Sequence, residues 1–414
     1  MTTYTQTAVS AGTGYMPPSG LEDGHRGMYH DGTNYITADD AQLLTASPPN
    51  FPNGNLTAMT IPAAFTITAN WMGMHAHRYP GGGSTNPTIP IQTVRSHDYQ
   101  VSGKSLRWHH INPSNGVFDW TLFDTWVNEW FSRGSDLVYT LGFTPAWAAG
   151  TVQSYAVGKE AYGTGTGAAP TDMQKWADYC SAVATRYNGK IKYYEVWNEP
   201  HFATGYSTYF YADTAAKLAE MTRIASLVIK AIDPTAKIIC APISKTDSTG
   251  RTELTSYLDA SAAGLNVSGN TGAAQTAANY IDIVGVHTYE PDINYGKAIF
   301  ANMDAIRTIR DARPCSGVPI WNTECGYLTA DKVPAEVKRT RIARLLAAAA
   351  CSGSSRVLFY SWDNGIMGLM NEPDTIAAVN SMFTQLAGKT VSGVNCERGG
   401  RLGIRLSDGS NVII

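Results

Sequence analysis

The segment Tyr194–Pro200 reads Y-E-V-W-N-E-P, and the fold of this chain is decided there. The run from Ile191 to Trp197 is apolar and β-favouring. Pro200 cannot continue it as an interior sheet member because proline has no backbone N–H to donate. Asparagine is also poorly placed inside a strand. Asn198 and Glu199 are therefore predicted to lie at the C-terminal mouth of a strand.

A second segment has the same design more than a hundred residues later. Val318–Gly326 reads V-P-I-W-N-T-E-C-G and places Glu324 towards the end of another short apolar run. Taken alone, either glutamate would be equally typical of a solvated residue at a strand end. The pair favours chemistry, because retaining glycoside hydrolysis needs one carboxyl as proton donor and another as nucleophile.

With these two motifs the chain resembles the clan A glycoside hydrolases, and most of all family 39, the group of β-xylosidases, α-iduronidases and bacterial exopolysaccharide hydrolases. The resemblance covers residues 60–390. It implies an α/β fold, a (β/α)8 TIM barrel with the acid/base after strand 4 and the nucleophile after strand 7. It also implies a retaining glycoside hydrolase that works through a covalent glycosyl-enzyme.

The hydrophobic pattern independently predicts a parallel βα architecture, because short apolar runs alternate with amphipathic stretches. There are eight such runs, the number that closes a TIM barrel. The predicted strands are Phe65–Met74, Thr93–Ser96, Asp136–Leu141, Ile191–Trp197, Lys237–Ala241, Ile281–His287, Val318–Thr323 and Arg356–Trp362. The predicted helices include Asp172–Tyr187, Thr214–Ile232, Ala335–Ala350 and Asn371–Leu386.

Three segments of different character divide the chain. Residues 1–60 are polar and rich in turn signals, and they are predicted to form an arm packed on the barrel. Residues 61–390 form the predicted catalytic barrel. Residues 391–414 contain two alternating runs around Ser407–Asn411, which predicts a β-hairpin. This hairpin resembles the start of the small β-domain of family 39, and it would form an accessory β-structure alone or with the N-terminal arm.

The resemblance implies roles at the predicted strand ends. Glu199 would be the acid/base, and burial beside another carboxylate would have to raise its pKa so that it is protonated at rest. Glu324 would be the nucleophile and must stay ionised, so it needs cationic or hydrogen-bond-donating neighbours. Arg95, at the mouth of strand 2, would lie beside Glu324. The alternative for Arg95 is a surface salt bridge.

Four more residues have implied contacts with substrate. Tyr289, in the H-x-Y pattern of strand 6, would donate to the nucleophile, and His287 would contact the sugar or support its neighbours. Asn198 would bind the sugar 2-hydroxyl. Trp362 would be the platform under the sugar, with one ring face exposed and the other packed. A capped loop with a core Tyr, and a core Trp, are the competing interpretations.

Three residues further out could line the cleft, and for each a structural role is equally compatible with the sequence. His75 and His77 follow strand 1, and Trp147 ends strand 3 in T-P-A-W. A subsite wall is the functional interpretation for Trp147.

Other classes of function have little support. A net charge of −3 with a pI near 6.3 gives no electrostatic case for nucleic acid, and no stretch of 18 apolar residues predicts a membrane span. We expect no metal and no cofactor, because zinc-type His or Cys spacing, a P-loop and a dinucleotide fingerprint are all missing from the sequence. The 6 Cys predict buried thiols more than a disulfide framework, although one bridge stays open.

The expected partner is a carbohydrate, and the content of 10 Trp and 22 Tyr suits a sugar cleft or a large aromatic core equally. The sequence favours an endo-acting enzyme on a bacterial or plant polysaccharide. An exo-acting β-xylosidase-like glycosidase, a transglycosylase and a non-catalytic carbohydrate-binding protein stay open as alternatives. The N-terminus lacks the features of a secretory signal, so extracellular action would need another route or a removed signal. The sequence does not set the oligomeric state.

Overall fold

The computed structural model of the chain describes residues 5–7, 28–30, 35–37, 57–149, 165–202, 210–211, 213–269, 272–289, 295–327, 335–396 and 402–414. Its centre is a parallel sheet of eight strands. In chain order these are β1 Met72–His75, β2 Thr93–Arg95, β3 Asp136–Leu141, β4 Tyr193–Val196, β5 Lys237–Ile239, β6 Val284–Thr288, β7 Ile320–Gly326 and β8 Ser354–Tyr360.

The sheet closes into the predicted barrel. Apart from β5 and β6, each strand pairs in parallel with its sequence neighbours, and β8 pairs with β1. The remaining gap, between β5 and β6, is bridged in parallel by Ile239 with Ile283 and by Ile243 with Val286. The strands are buried along nearly their whole length, as expected for parallel strands covered by helices. All eight predicted strands are present.

The start of the first predicted strand was wrong. Phe65–Thr66 does not belong to the barrel but pairs antiparallel with Thr390–Cys396 in a second sheet. The barrel strand begins only at Met72. A single apolar run in the sequence therefore covers two strands in two different sheets.

The helices follow the strands. They are α1 Trp108–Ile111, α2 Thr121–Ser132, α3 Ala146–Ala149, α4 Met173–Arg186, α5 Ala215–Ile232, α6 Ser248–Asp259, α7 Tyr295–Asp311, α8 Ala335–Cys351 and α9 Pro373–Leu386. Side-chain oxygens cap three of them: Asp172 accepts from Gln174 N, Thr214 from Lys217 N, and Asp247 from Thr249 N and Gly250 N. These caps satisfy N–H groups that lack a partner within the helix. No helix in the described ranges is both long and apolar enough to cross a bilayer.

An antiparallel accessory sheet lies beside the barrel, as predicted. The C-terminal hairpin pairs Leu402–Leu406 with Asn411–Ile413, and Thr390–Cys396 joins it to Thr57–Ala58. Residues N-terminal to the barrel therefore complete the C-terminal sheet. Of the predicted N-terminal arm, the described part before residue 57 is a small antiparallel sheet of Thr5–Thr7, Met28–His30 and Tyr35–Thr37. The rest lies outside the described residues.

The N-terminal end of the barrel is filled by a cation between aromatic rings. The guanidinium of Arg356, on β8, lies 4.4 Å from the ring centroid of Trp321 and 4.9 Å from that of Tyr193. It forms a 2.5 Å ion pair with Asp136. A buried charge is tolerated only when it is paired, and Asp136 supplies the pairing here. These side chains fill one end of the barrel, and the candidate catalytic residues lie at the other end.

Five of the six cysteines, Cys180, Cys240, Cys315, Cys325 and Cys351, are free and buried thiols, as the sequence predicted. The side chain of Cys396 lies outside the described residues.

Candidate active site

The C-terminal end of β4 is built on an unusual backbone. Trp197 has a φ of 70° and Glu199 a φ of 41°, both in the left-handed region that non-glycine residues rarely occupy. The Trp197 indole is fixed, because its N–H donates to Phe210 O at 2.7 Å. Its ring packs on Gly142, where a Cβ would lie 2.6 Å from the ring. The contacts of Trp197 with Phe210 and Gly142 thus hold this strained turn in place, and the turn directs Glu199 into the barrel mouth.

Glu199 meets the other glutamate across the mouth. One carboxylate oxygen of Glu199, one ring nitrogen of His287 and one carboxylate oxygen of Glu324 all lie within 4.8 Å of one another. Retaining glycosidases hold their two carboxyl groups about 5–5.5 Å apart, whereas inverting enzymes need about 6.5–9.5 Å to admit a water. The short separation therefore suits double displacement.

Arg95 connects the residues around the nucleophile candidate. It is fully buried and donates from Nε to Glu195 Oε2 at 2.7 Å, from Nη1 to Glu324 Oε2 at 2.8 Å and from Nη2 to Asn198 Oδ1 at 2.6 Å. The surface salt bridge considered from the sequence is therefore wrong for Arg95. Since Arg95 engages the amide oxygen of Asn198, the amide N–H group is the end left to face a ligand.

Glu195 is the site residue that the sequence did not single out. It is fully buried in β4, and its Oε2 also accepts from Thr140 Oγ1 at 3.0 Å. Burying a carboxylate costs free energy unless a counter-charge and donors satisfy it. Glu195 supplies the counter-charge that keeps Arg95 in place. A glutamate inside an apolar strand run was the available signal.

Glu324 receives two donors, one to each oxygen. Arg95 binds Oε2, and the Tyr289 hydroxyl donates to Oε1 at 2.7 Å. Burial raises the pKa of Glu324, and the negative charge of Glu199 adds to this, whereas His287, Arg95 and the Tyr289 hydrogen bond lower it. The donors thus stabilise the ionised form that a nucleophile needs, against the cost of burial.

His287 lies between the two glutamates. Its Nδ1 is 2.7 Å from Glu199 Oε1, and the side chain is fully buried. Burial lowers the pKa of His287 to about 4, although the Glu324 carboxylate opposes this. The imidazole is therefore neutral near pH 7, and its Nδ1 is hydrogen-bonded to the Glu199 carboxyl.

By distance alone, the trio of Glu199, His287 and Glu324 could also hold a metal ion. Arg95 and the Tyr289 hydroxyl already occupy the Glu324 oxygens, and a guanidinium beside the trio repels a cation. The arrangement suits acid–base chemistry better than metal binding, and the expectation of a metal-free site stays a prediction.

His75 ends β1, and His77 follows it by two residues. His75 is fully buried, and its Nε2–H donates to Thr323 O at 2.9 Å, which fixes the strand that carries Glu324. His77 packs edge-on against Tyr360 at 4.6 Å, and its backbone N–H donates to Asp363 Oδ1 at 2.6 Å. Burial lowers the pKa of both histidines, of His75 the further. Within the described part of the chain, these contacts are structural.

Trp362 differs from its expected environment. Only 1% of the residue is exposed, so the open ring face predicted for a sugar platform is covered. The indole N–H donates to Thr85 O at 2.9 Å, and Trp362 O accepts from Met370 N at 2.8 Å. These two partners lie before β2 and after β8, far apart in the chain, so no local sequence pattern predicts the burial of Trp362.

Trp147 lies in α3 and is partly buried. It packs edge-on against Trp108 at 6.2 Å and donates from its indole to Asn112 O at 2.9 Å. These contacts belong to the scaffold, and a role as a subsite wall stays a prediction.

Comparisons with known proteins agree with this geometry. The family profile that matches the chain is that of cellulase (glycosyl hydrolase family 5), over residues 153–368, just over half of the 414 residues. No curated protein matches the chain.

Solved structures share its fold. A family 39 glycoside hydrolase from the gut symbiont Bacteroides cellulosilyticus WH2 has a TM-score of 0.55 at 14% identity, over 93% of this chain and 75% of that one. A GH39 β-xylosidase from Caulobacter crescentus has a TM-score of 0.55 at 20% identity, over 84% of this chain and 79% of that one. A glucosidase from Croceicoccus marinus has a TM-score of 0.54 at 12% identity, over 85% and 75%.

Proposed function

The chain belongs to the cellulase family of glycosyl hydrolases, family 5, and we propose that it is an endo-acting retaining glycosidase that cleaves a bacterial or plant polysaccharide. The observation that carries the reaction type is the approach of Glu199 and Glu324 to within 4.8 Å. The family's description as cellulase supports a polysaccharide as the substrate. The predicted resemblance to clan A glycoside hydrolases is confirmed.

In the proposed mechanism the two glutamates have separate roles. Glu324 attacks the anomeric carbon while Glu199 donates a proton to the departing oxygen, which gives a covalent glycosyl-enzyme. Glu199 then accepts a proton from a water that attacks the anomeric carbon and displaces the Glu324 carboxylate, and the two inversions give net retention of configuration. The hydrogen bonds to both oxygens of Glu324 support its assignment as the nucleophile, because donors to a carboxylate favour its ionised form.

The remaining polar groups are proposed to support these steps. Arg95 and Tyr289 keep Glu324 ionised and oriented, and the Asn198 amide is positioned to bind the sugar 2-hydroxyl, a contact that strengthens in the transition state. His287 orients the Glu199 carboxyl. The direct sugar platform is not assigned to Trp362, since its ring is covered.

A polysaccharide panel tests the proposal. We expect the purified protein to lower the viscosity of one polymer before reducing ends accumulate, with oligosaccharides of mixed length as the first products by mass spectrometry. Glu324→Gln is the matched inactive control. Release of only a monosaccharide from chain ends would replace the endo proposal with an exo-acting enzyme, and an absence of cleavage by the wild-type protein across the panel would overturn both.

A further inference from the structure

A second hydrogen-bonded trio lies beside the acid/base candidate. His201 follows Glu199 by two residues, its Nδ1 is 3.0 Å from Glu253 Oε2, and its Nε2 is 3.2 Å from Ser244 Oγ. His201 and Glu253 are 7% and 4% exposed, whereas Ser244 is only partly buried. The polar chain thus runs from the protein interior towards the surface and ends on the serine hydroxyl.

The topology places Ser244 at the same mouth as the glutamates. Ser244 comes directly after Ile243, which bridges Val286 on β6. His287 N donates to Ile243 O at 3.0 Å, and the His287 side chain in turn contacts Glu199. Ser244 therefore lies level with the His287–Glu199 pair, between the ends of β4 and β6.

The trio holds Ser244 in place. Both ring nitrogens of His201 are engaged, Nδ1 by Glu253 Oε2 and Nε2 by Ser244 Oγ. A hydroxyl has one donor and two acceptor positions, so Ser244 can form a further hydrogen bond to an outside group while it keeps its contact with His201. Glu253, on the inner face of α6, would be costly to bury without this partner.

We propose that Ser244, held by His201 and Glu253, forms a leaving-group subsite that hydrogen-bonds to a hydroxyl of the departing sugar. The inference rests on the proposed function, since the acid protonates the leaving oxygen and the leaving group must lie on the Glu199 side of the scissile bond. The ligand class is a polyhydroxylated aglycone, meaning the next sugar of the chain. An aryl aglycone has no hydroxyl with which to bind Ser244.

The test compares two leaving groups on one glycone. The substrates are the shortest oligosaccharide that the wild-type enzyme cleaves and the 4-nitrophenyl glycoside of the same glycone, both measured at the same pH. We expect Ser244→Ala to lower kcat/KM on the oligosaccharide about 2- to 10-fold, the effect of one neutral hydrogen bond, and to leave the aryl glycoside unchanged. Ser248→Ala, at an exposed position on α6, is the matched control and should affect neither.

A transglycosylation experiment tests the same subsite with a sugar as the acceptor. The glycosyl-enzyme is formed from a 2,4-dinitrophenyl glycoside and divided between water and added glucose or xylose. We expect Ser244→Ala to lower the transglycosylation share by a similar factor, and Ser244→Thr, which keeps a hydroxyl, to restore it.

Three outcomes would overturn the subsite. Equal losses on both substrates would make Ser244 structural, and no loss on either would leave it without a contact to substrate. If the wild-type protein cleaves neither substrate, the proposed function fails and the subsite fails with it. That case is separate, because the first two require an active wild-type enzyme.

Discussion

Two carboxylates face the same space with different neighbours. Glu324 accepts from a guanidinium and a phenol, each at 2.8 Å or less, and Glu199 contacts a buried imidazole. Donors to a carboxylate favour its ionised form. The donors on Glu324 are therefore the basis for proposing it, and not Glu199, as the nucleophile.

This assignment predicts different behaviour of the two alanine variants. Glu324→Ala should lose activity on every substrate, because no glycosyl-enzyme can form. Glu199→Ala should keep the first step on an activated aryl glycoside and accumulate the intermediate, since deglycosylation then lacks its base.

Azide needs no base, so it should restore turnover in Glu199→Ala with retained configuration. In Glu324→Ala, azide should give inversion. NMR of the glycosyl azides measures this, and the same stereochemistry from both variants would contradict the roles.

Tyr289 allows a sharper test of the nucleophile. Its hydrogen bond lowers the pKa of Glu324, so Tyr289→Phe should raise that pKa and move the acidic limb of the kcat/KM profile to higher pH. We also expect kcat to fall about 10- to 100-fold, the range for a hydrogen bond to a charged group. Tyr280→Phe is the control, since its hydroxyl donates to a remote backbone oxygen. An acidic limb that does not move would show that Glu324 is not the group that titrates.

The sequence was informative where a motif places a polar residue at a strand end. Glu199 and Glu324 were identified this way, because proline and asparagine interrupt apolar runs next to them. The buried contacts of Glu195 could not be read from its position in β4, since they depend on Arg95 from a strand 100 residues away. The burial of Trp362 was missed for the same reason, since its indole is held by the Thr85 carbonyl oxygen, 277 residues away in sequence.

At the scale of elements, β4 and the end of β3 are fitted to each other. Gly142 follows β3 with a φ of 131°, and a Cβ there would lie 2.6 Å and 2.9 Å from two carbons of the Trp197 ring. That ring precedes Asn198 and Glu199, so its position sets the entry of both residues into the barrel mouth. A sequence pattern reveals the glycine but not the ring that it accommodates.

Gly142→Ala should therefore damage both stability and catalysis. The new methyl group must displace the indole or the backbone, which we expect to cost about 2 kcal/mol or more in the free energy of unfolding. The displacement should also lower kcat by moving Glu199. Gly189→Ala is the matched control, because Gly189 also has a positive φ, of 75°, but nothing lies within 4 Å of its Cβ position. Chemical denaturation and kinetics check this, and equal losses in the two variants would mean that backbone strain, and not the Trp197 contact, is responsible.

For the whole molecule, the eight strands were predictable because each is a short apolar run between helices. The different roles of the two barrel ends could not be predicted. In the sequence Arg356 is one more charged residue near a strand start, and only the structure shows that it lies between the rings of Trp321 and Tyr193. The barrel also buries several imidazoles around its mouth, which affects how stability depends on pH.

Acid should destabilise the fold well before carboxylates of ordinary pKa titrate. Burial lowers the pKa of His75 and His97 far below the usual value, of His287 to about 4 and of His109 to about 3. Above about pH 6.5 these imidazoles are neutral in both states and contribute no slope. As the pH falls from about 6.5 to about 4, the unfolded chain binds protons that the native state does not, so the free energy of unfolding decreases.

Each such imidazole contributes up to about 1.4 kcal/mol per pH unit in that window. Glu324 acts in the opposite direction, because its pKa is raised in the native state, but it is one group against several. Urea denaturation at pH 7.5, 6.5, 5.5 and 4.5 measures the slope. His109→Gln removes one titrating imidazole away from the glutamate pair, so it should flatten the slope by about one proton. A free energy of unfolding that stays constant from pH 7.5 to 4.5 would contradict the neutral, buried state of these histidines.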